Sequence, residues 1–447
     1  MRNLLLLLAI SASIFQASSQ TIIPIMDSVV FHDGYAGLVA TYTPPAGVIK
    51  IKNDIASRKL TVNELASIGT TLQINVVLSA LCDNYDRLGY VNLAFVPKGS
   101  STYTANSVDH IELARFITPF MNKNIQPDTV PYIFEANNVT MILKDTAVTN
   151  NFDIWVELEV FGVPYAANTE VAGCSGRNDV FLGRLEFVTN TAAPSLNENL
   201  LLPLFYKNNF NNYQANGTDT VGKTTKEISF NVPYDLADAS FLLITSNHGA
   251  NQGGEEYNRR NHFVYYDGDI VLSYIPGRTT CEPFRQYNTQ GNGIYGPSTR
   301  TDAQWQSFSN WCPGDVIDIR KIDLGAVAAG NHTFLINVPD ATFNGGEGNI
   351  PLSLYFQGST NGKVLSIEDK VKEEELVSVY PNPTSSNFTV KTLMLGATMI
   401  ITDVFGKQVL SRVITKEVNN IDIDNSGIYF ITIKSSNEVI TEKVMVN

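Results

Sequence analysis

Apolar residues fall at every second position along much of this chain, and that period leaves little choice of fold. Leu72, Ile74, Val76 and Leu78 alternate with Gln73, Asn75 and Val77, the spacing of a strand with one buried face. Further strands are expected at Val91–Val96, Phe152–Val163, Ile228–Val232, Phe241–Thr245, Val316–Leu324, Thr333–Val338 and Leu352–Phe356. His262–Tyr266 and Ile270–Ile275 flank Asp267-Gly268-Asp269, where Asp-Gly supplies the positive φ of a tight hairpin. Helical spacing is nearly absent outside Val62–Ile68, and Val139–Leu143 reads as strand-like. Many short strands with polar, Gly- and Asn-rich connections predict an all-β chain of antiparallel sandwiches.

Two seams divide that pattern. The first strand-rich block is expected over residues 20–165 and the second over 166–358, its start poor in regular pattern as far as about Pro203. Residues 359–375, with the charged run Glu368–Glu375, read as a solvated linker, and 376–447 as a small separate domain.

At 447 residues and 44% hydrophobic, the chain can bury several cores. A net charge of −13 argues against nucleic acid or an anionic membrane as partner. Met1-Arg2-Asn3, the apolar run Leu4–Ile10 and Ala17-Ser18-Ser19 before Gln20 read as a cleavable signal peptide, residues 1–19. The run is too short to span a bilayer. A soluble monomer is expected, exported through the periplasm and then secreted or held on the outer surface.

Four cysteines, Cys82, Cys174, Cys281 and Cys312, suit disulfides in an exported chain and allow three pairings. Cys281–Cys312 is favoured because both lie in one loop-rich stretch. Closing about 31 residues would contribute about 3.5 kcal/mol on the loop-entropy model.

The last domain carries Tyr380-Pro381-Asn382-Pro383, then Asp403-Val404-Phe405-Gly406-Lys407, then Gly427-Ile428-Tyr429-Phe430, and closes on Lys443-Val444-Met445-Val446. That set resembles the C-terminal sorting domain read by the type IX secretion system of Bacteroidota. The resemblance implies a small β-sandwich and passage through that machinery.

For the middle of the chain, elimination comes first. Five histidines, with no HExxH, no H-x-H and no clustered His/Cys set, give no metal site. G-x-S-x-G is absent, and the Gly-rich runs at Gly253–Glu255 and Gly291–Gly293 do not sit between a strand and a helix. No cofactor is implied. Carboxylates, tyrosines and arginines remain, a set suited to acid–base attack on a sugar-linked bond. Asp86-Arg87 follows a strongly patterned strand, and Arg87 would keep the Asp86 carboxylate ionised. Glu255-Glu256 precedes Arg259-Arg260 and a strand at His262, and Asp145 follows Lys144.

Tyr85-Asp86-Arg87, Ala114-Arg115-Phe116-Ile117-Thr118-Pro119-Phe120, Glu256…Arg260-Asn261-His262 and Asn310-Trp311-Cys312-Pro313-Gly314 occur in the order seen in the peptide-N-glycosidase F family. The chain resembles that family over roughly Asn75 to Gly358. The resemblance implies two tandem antiparallel jelly-roll sandwiches with the site at their interface. It also implies hydrolysis of the glycan–asparagine amide of an N-glycoprotein or glycopeptide, converting Asn to Asp. Asp86 falls on the catalytic aspartate, Glu256 on a glutamate that holds water and substrate, and Asp145 on a second glutamate that binds the chitobiose core. Tyr85, Arg87, Arg260 and Trp311 are the implied substrate contacts, and Cys281–Cys312 matches a family disulfide. Phe308 stands where the family has an arginine, with Arg300 upstream. Tyr85, Ala147 and Asn247 replace tryptophans, and Cys82 and Cys174 either pair or stay free. Two other readings are a glycan- or peptide-binding surface protein on the same scaffold and a copper monooxygenase. The second needs paired histidines that the chain does not show.

Overall fold

The computed structural model describes residues 20–192, 199–210, 220, 223–249, 254–290, 301, 303, 310–343, 348–360, 377–392, 394–403, 407–423, 425–435 and 439–446. The signal segment and the charged run Glu368–Glu375 lie outside these residues. The described residues fall into two compact units, one up to residue 360 and one from 377.

The first unit opens with β1 (Gln20–His32), β2 (Val48–Lys52), β3 (Ile55–Lys59), α1 (Val62–Ser67), β4 (Leu72–Ala80), β5 (Leu88–Pro97), β6 (Asp109–Ile117) and β7 (Thr129–Glu135). Then come α2 (Val139–Lys144), α3 (Thr146–Thr149), β8 (Phe152–Val160), α4 (Ala167–Glu170) and β9 (Asp179–Asn190). One sheet has the order β1-β9-β4-β7 and faces a second containing β6-β5-β8-β3-β2. The alternation in β4 is realised residue by residue: Leu72, Ile74, Val76 and Leu78 are wholly buried between the sheets.

Two expectations are corrected. The seam at 165/166 lies too early, because β9 pairs with both β1 and β4 and so belongs to the first sandwich. Val139–Leu143 is the helix α2, not a strand. Its buried Val139, Thr140, Ile142 and Leu143 lie one, three and four residues apart on one helical face. The turn at Val62 is a helix, closed by a capping box in which Thr61 Oγ1 accepts from Glu64 N and Glu64 accepts from Thr61 N.

The second sandwich holds β10 (Asn199–Asn209), β11 (Thr225–Val232), β12 (Leu236–Thr245), β13 (His262–Tyr266), β14 (Asp269–Tyr274), β15 (Val316–Ile317), β16 (Arg320–Val327), β17 (Gly330–Asn337) and β18 (Pro351–Ser359). Its sheets are β10-β18-β12-β16 and β11-β17-β13-β14, packed over Phe230, Phe241, Phe334 and Phe356. The β13–β14 turn has Asp267 and Gly268 both at positive φ, the conformation that favours Asp-Gly. The strand β15 leaves its own sandwich and pairs with β6, so one sheet draws on both.

A band of buried polar groups joins the two sandwiches. Glu157 accepts from Tyr103 (2.6 Å) and Asn92 (3.1 Å) and lies 3.2 Å from His110 Nε2, while Lys207 pairs with Glu159. Arg115, wholly buried, holds Glu112 with two 2.8 Å bonds and reaches Ser246 Oγ and the Pro351 carbonyl at 2.8 Å. Each charge has a partner, as a dry interface requires.

In the second unit, β19 (Val377–Tyr380), β20 (Asn387–Thr392) and β23 (Val418–Asp422) form one sheet. The other holds β21 (Thr398–Asp403), β22 (Gln408–Val413), β24 (Gly427–Lys434) and β25 (Val439–Val446). Asn382 donates to the Lys443 carbonyl (2.6 Å) and accepts from Met445 N (3.0 Å). The Tyr-Pro-Asn-Pro motif and the terminal strand are thus one structural feature.

Candidate active site

The connection from β4 to β5, residues 81–87, crosses one end of the first sandwich. Its anchor is Asp83, buried, which accepts from Tyr85 N (3.0 Å), Val163 N (2.6 Å) and Arg87 Nε (2.7 Å). Burial pushes the Asp83 carboxyl up, and Arg87 opposes that shift. For its hydrogen bonds the guanidinium reaches back four residues to Asp83. Asp86 is half-buried within electrostatic reach of Arg87.

The Arg-Phe-Ile-Thr-Pro string holds this loop from the other side. Thr118 Oγ1 accepts from Arg87 N (2.7 Å) and donates to the Tyr85 carbonyl (3.1 Å), while Thr118 N donates to the Arg87 carbonyl (2.8 Å). The backbone on both sides of Asp86 is clamped by one threonine. A disulfide, Cys82–Cys174, ties the loop's start to the β8–β9 connection.

The second sandwich contributes Glu256 from a turn fixed by the Asn-Trp-Cys-Pro-Gly string. Asn310 Nδ2 donates to the carbonyls of Glu255 (2.9 Å) and Glu256 (2.6 Å), and Trp311 Nε1 donates to the Asn247 carbonyl (3.0 Å). Gly249 N donates to Glu256 Oε2 at 3.2 Å. Glu255 is wholly buried and bound by Arg260 Nε (2.8 Å) and Thr342 N (3.0 Å). The charge of Arg260, expected on substrate, is thus engaged within the turn. Cys281–Cys312 closes the segment, and Gly314 N donates to the Ile117 carbonyl (3.0 Å) across the junction.

These pieces meet in one apolar cluster. Ile117 and Phe120 from the first sandwich pack with Ile244, Cys281, Trp311, Cys312 and Ile317 from the second. Tyr85, Leu88 and Tyr257 lie against that cluster. Tyr85 and Tyr257 are the chain neighbours of Asp86 and Glu256, so both acids arise from the walls of one junction. Trp311 is buried in that wall.

Asp145 is not brought there. It caps α3, accepting from Ala147 N at 2.7 Å, and lies past α2 at the Leu72 end of β4, where Ala136 N donates to the Leu72 carbonyl. Asp86 follows the Ala80 end. The nine-residue strand separates those ends by about 26–27 Å at the rise of a strand. Ala147, one of the positions read as replacing a family tryptophan, shares the remote position, and Asn247, another, is wholly buried. The acid that does reach the Asp86 end is Glu170, which accepts from Asn84 (2.7 Å) and from Gln290 (3.0 Å), one partner from each sandwich. No local pattern in the sequence marks Glu170; the Cys82–Cys174 disulfide, the Asn84 bond and the Val163 N–Asp83 bond tie its loop to that of Asp86. Phe308 and Arg300 lie outside the described residues.

The nearby histidines serve packing. His262 is wholly buried, stacks on Tyr274 and is pushed down to about 4 by burial. His248 stacks on Trp311, lies 2.7 Å from Ser246 Oγ, and is lowered to about 3 by burial and then by Arg115. Among the described residues, no group of three or more His, Cys, Asp or Glu is placed to hold a metal ion.

Two family profiles, "Peptide-N-glycosidase F, N terminal" and "Peptide-N-glycosidase F, C terminal", match residues 22–175 and 216–357. A third, "Secretion system C-terminal sorting domain", matches 378–447. No curated protein sequence matches the chain. Among solved structures, PNGF-II in one crystal form is 21% identical with a TM-score of 0.56, covering 76% of this chain and 65% of its own. In another form the values are 20%, 0.55, 78% and 66%. The chain thus spans just under two thirds of PNGF-II, whose likeness carries the tandem fold. PNGase F of Flavobacterium meningosepticum is 14% identical, with a TM-score of 0.48, covering 77% of this chain and 96% of its own.

Proposed function

Because the chain belongs to the peptide-N-glycosidase F family through both sandwiches, and its type IX sorting domain directs it to the cell surface or beyond, we propose that it is a secreted amidase of N-glycoproteins. The reaction adds water across the amide joining an asparagine side chain to its glycan. The water oxygen bonds to the side-chain carbonyl carbon, the carbon–nitrogen bond breaks, and the nitrogen leaves protonated as a glycosylamine. The asparagine becomes aspartate.

In this reading Asp86 takes the proton of the attacking water or passes it to the leaving nitrogen. Glu256 positions the water and the amide. Arg87 acts at one remove, holding Asp83 and so the turn that presents Asp86. Glu170, rather than Asp145, binds the sugars next to the amide. The observation that supports the proposal is that Tyr85 and Tyr257, the chain neighbours of Asp86 and Glu256, both pack against one apolar cluster drawn from the two sandwiches. A water-poor wall strengthens every charge interaction beside it.

The test is incubation of the purified protein with denatured high-mannose, complex and core-fucosylated N-glycoproteins, read by gel shift and peptide mass. Glycan loss with Asn-to-Asp conversion, abolished by Asp86→Asn, is the expected result. A folded preparation that releases nothing from any of them, yet retains glycans, would replace the amidase with a glycan-binding surface protein.

A further inference from the structure

Three aromatic rings outside the machinery above share its rim. Tyr35 and Tyr165 are 80% and 71% exposed, leaving large apolar faces in water without benefit to the fold. The segments that carry them are nonetheless fixed. Gly34 N donates to the Gly162 carbonyl (2.9 Å), and a Cβ at Gly34 would stand 2.6 Å from the Phe161 ring. Phe161 N donates to the Leu88 carbonyl (3.2 Å), and Val163 N to Asp83 (2.6 Å). Tyr35 N donates to Asp33 Oδ1 (3.0 Å).

The rings form a continuous run from the candidate site. Arg87 lies over Tyr85 at 5.2 Å and over Phe161 at 5.9 Å. Phe161 meets Tyr35 edge-on, with centroids 5.2 Å apart and planes at 76°. Tyr165 is within electrostatic reach of both Tyr85 and Arg87. The path begins beside Asp86 and leads outward over the first sandwich. Pyranose rings present a C–H face to stack and hydroxyls to bond, matching flat rings that carry phenolic tips on Tyr35 and Tyr165.

We propose that Tyr35, Phe161 and Tyr165 form a stacking platform for the glycan's sugar rings beyond those nearest the asparagine. The platform rests on the amidase reading of the adjoining site, and it gives the chain a stacking surface that the tryptophan-poor junction lacks. Rings held by rigid loops lose little entropy on binding, which is the main cost of such contacts.

The probe is a free high-mannose oligosaccharide, with no asparagine attached, titrated calorimetrically into the full protein. Tyr35→Ala and Tyr165→Ala should each weaken binding about five-fold, in keeping with a single aromatic contact, while Tyr165→Trp retains it. On glycopeptides, Tyr165→Ala should raise KM about five-fold for the full glycan and leave kcat unchanged. The same peptide trimmed to its core disaccharide should be unaffected. No binding by the wild type, or an unchanged Kd in the double alanine variant, would overturn the platform. So would equal effects on full and trimmed substrates, which would assign the rings to the peptide. Tyrosine-dependent glycan binding without amide cleavage would sink the amidase and leave the platform standing.

Discussion

At the Ala80 end of β4 the chain leaves through Cys82–Arg87, a turn held by a disulfide, a buried carboxylate and a threonine just past β6. At the Leu72 end the neighbouring segments are short helices closed by local caps: Thr61 with Glu64 on α1, and Asp145 with Ala147 on α3. Both ends offer an acid in a polar loop after a patterned run. They differ in what holds the acid itself: Thr118 clamps the backbone on both sides of Asp86 from another element, whereas Asp145 bonds only to residues within four positions, Ile142, Ala147 and Thr149, among the described contacts. A residue that positions a reacting group needs supports from several elements, and Asp86 has them on both sides of its backbone.

The largest effect that could break this contrast is on rate. Asp86→Asn should lower glycopeptide release by about 10²–10⁴-fold, the range for losing a positioned acid–base group, whereas Asp145→Asn should leave it within about two-fold. Equal losses in initial-rate assays would erase the distinction between the ends. Next comes the disulfide: Cys82→Ser with Cys174→Ser opens a 92-residue loop and should cost about 2–5 kcal/mol in denaturant unfolding, with activity falling before the fold does.

Acid lability should belong to the junction. His262 titrates at about 4 in the folded chain, below its ordinary 6.5. The unfolded chain therefore takes up a proton first as pH falls below 6.5. Its contribution is intact at pH 7 and declines towards pH 4, by about 2 kcal/mol at pH 5. His262→Phe should flatten that slope in unfolding curves recorded at pH 7 and 5, and an unaltered slope would place the sensitivity elsewhere. The smallest effect is at the remote end: Thr61→Ala should cost about 1 kcal/mol and leave the release rate untouched.

Much of the fold was legible in the chain because burying one sheet face imposes a period of two, and β4 obeys it at every position. The 165/166 seam was misplaced because β9 begins only after a long loop, which breaks the pattern without ending the sandwich. Val139–Leu143 misled because a run of five apolar residues fits a helix as well as a strand; its length cannot decide between them.

By itself, the sequence determined the all-β class, the sorting domain with its paired motifs, the Cys281–Cys312 bridge and the strings that build the junction. Those features depend on neighbours in the chain or on motifs whose residue types admit few alternatives. Only the tertiary structure decided that Arg87 serves Asp83, that Arg260 serves Glu255, that Cys82 joins Cys174, and that Glu170 rather than Asp145 stands at the Asp86 end. The first two are choices among carboxylates a few residues apart in one turn, and the last two join segments far apart in the chain. A strand has two ends with similar loop chemistry, and which end meets the second sandwich is set by packing and register, which no local pattern encodes.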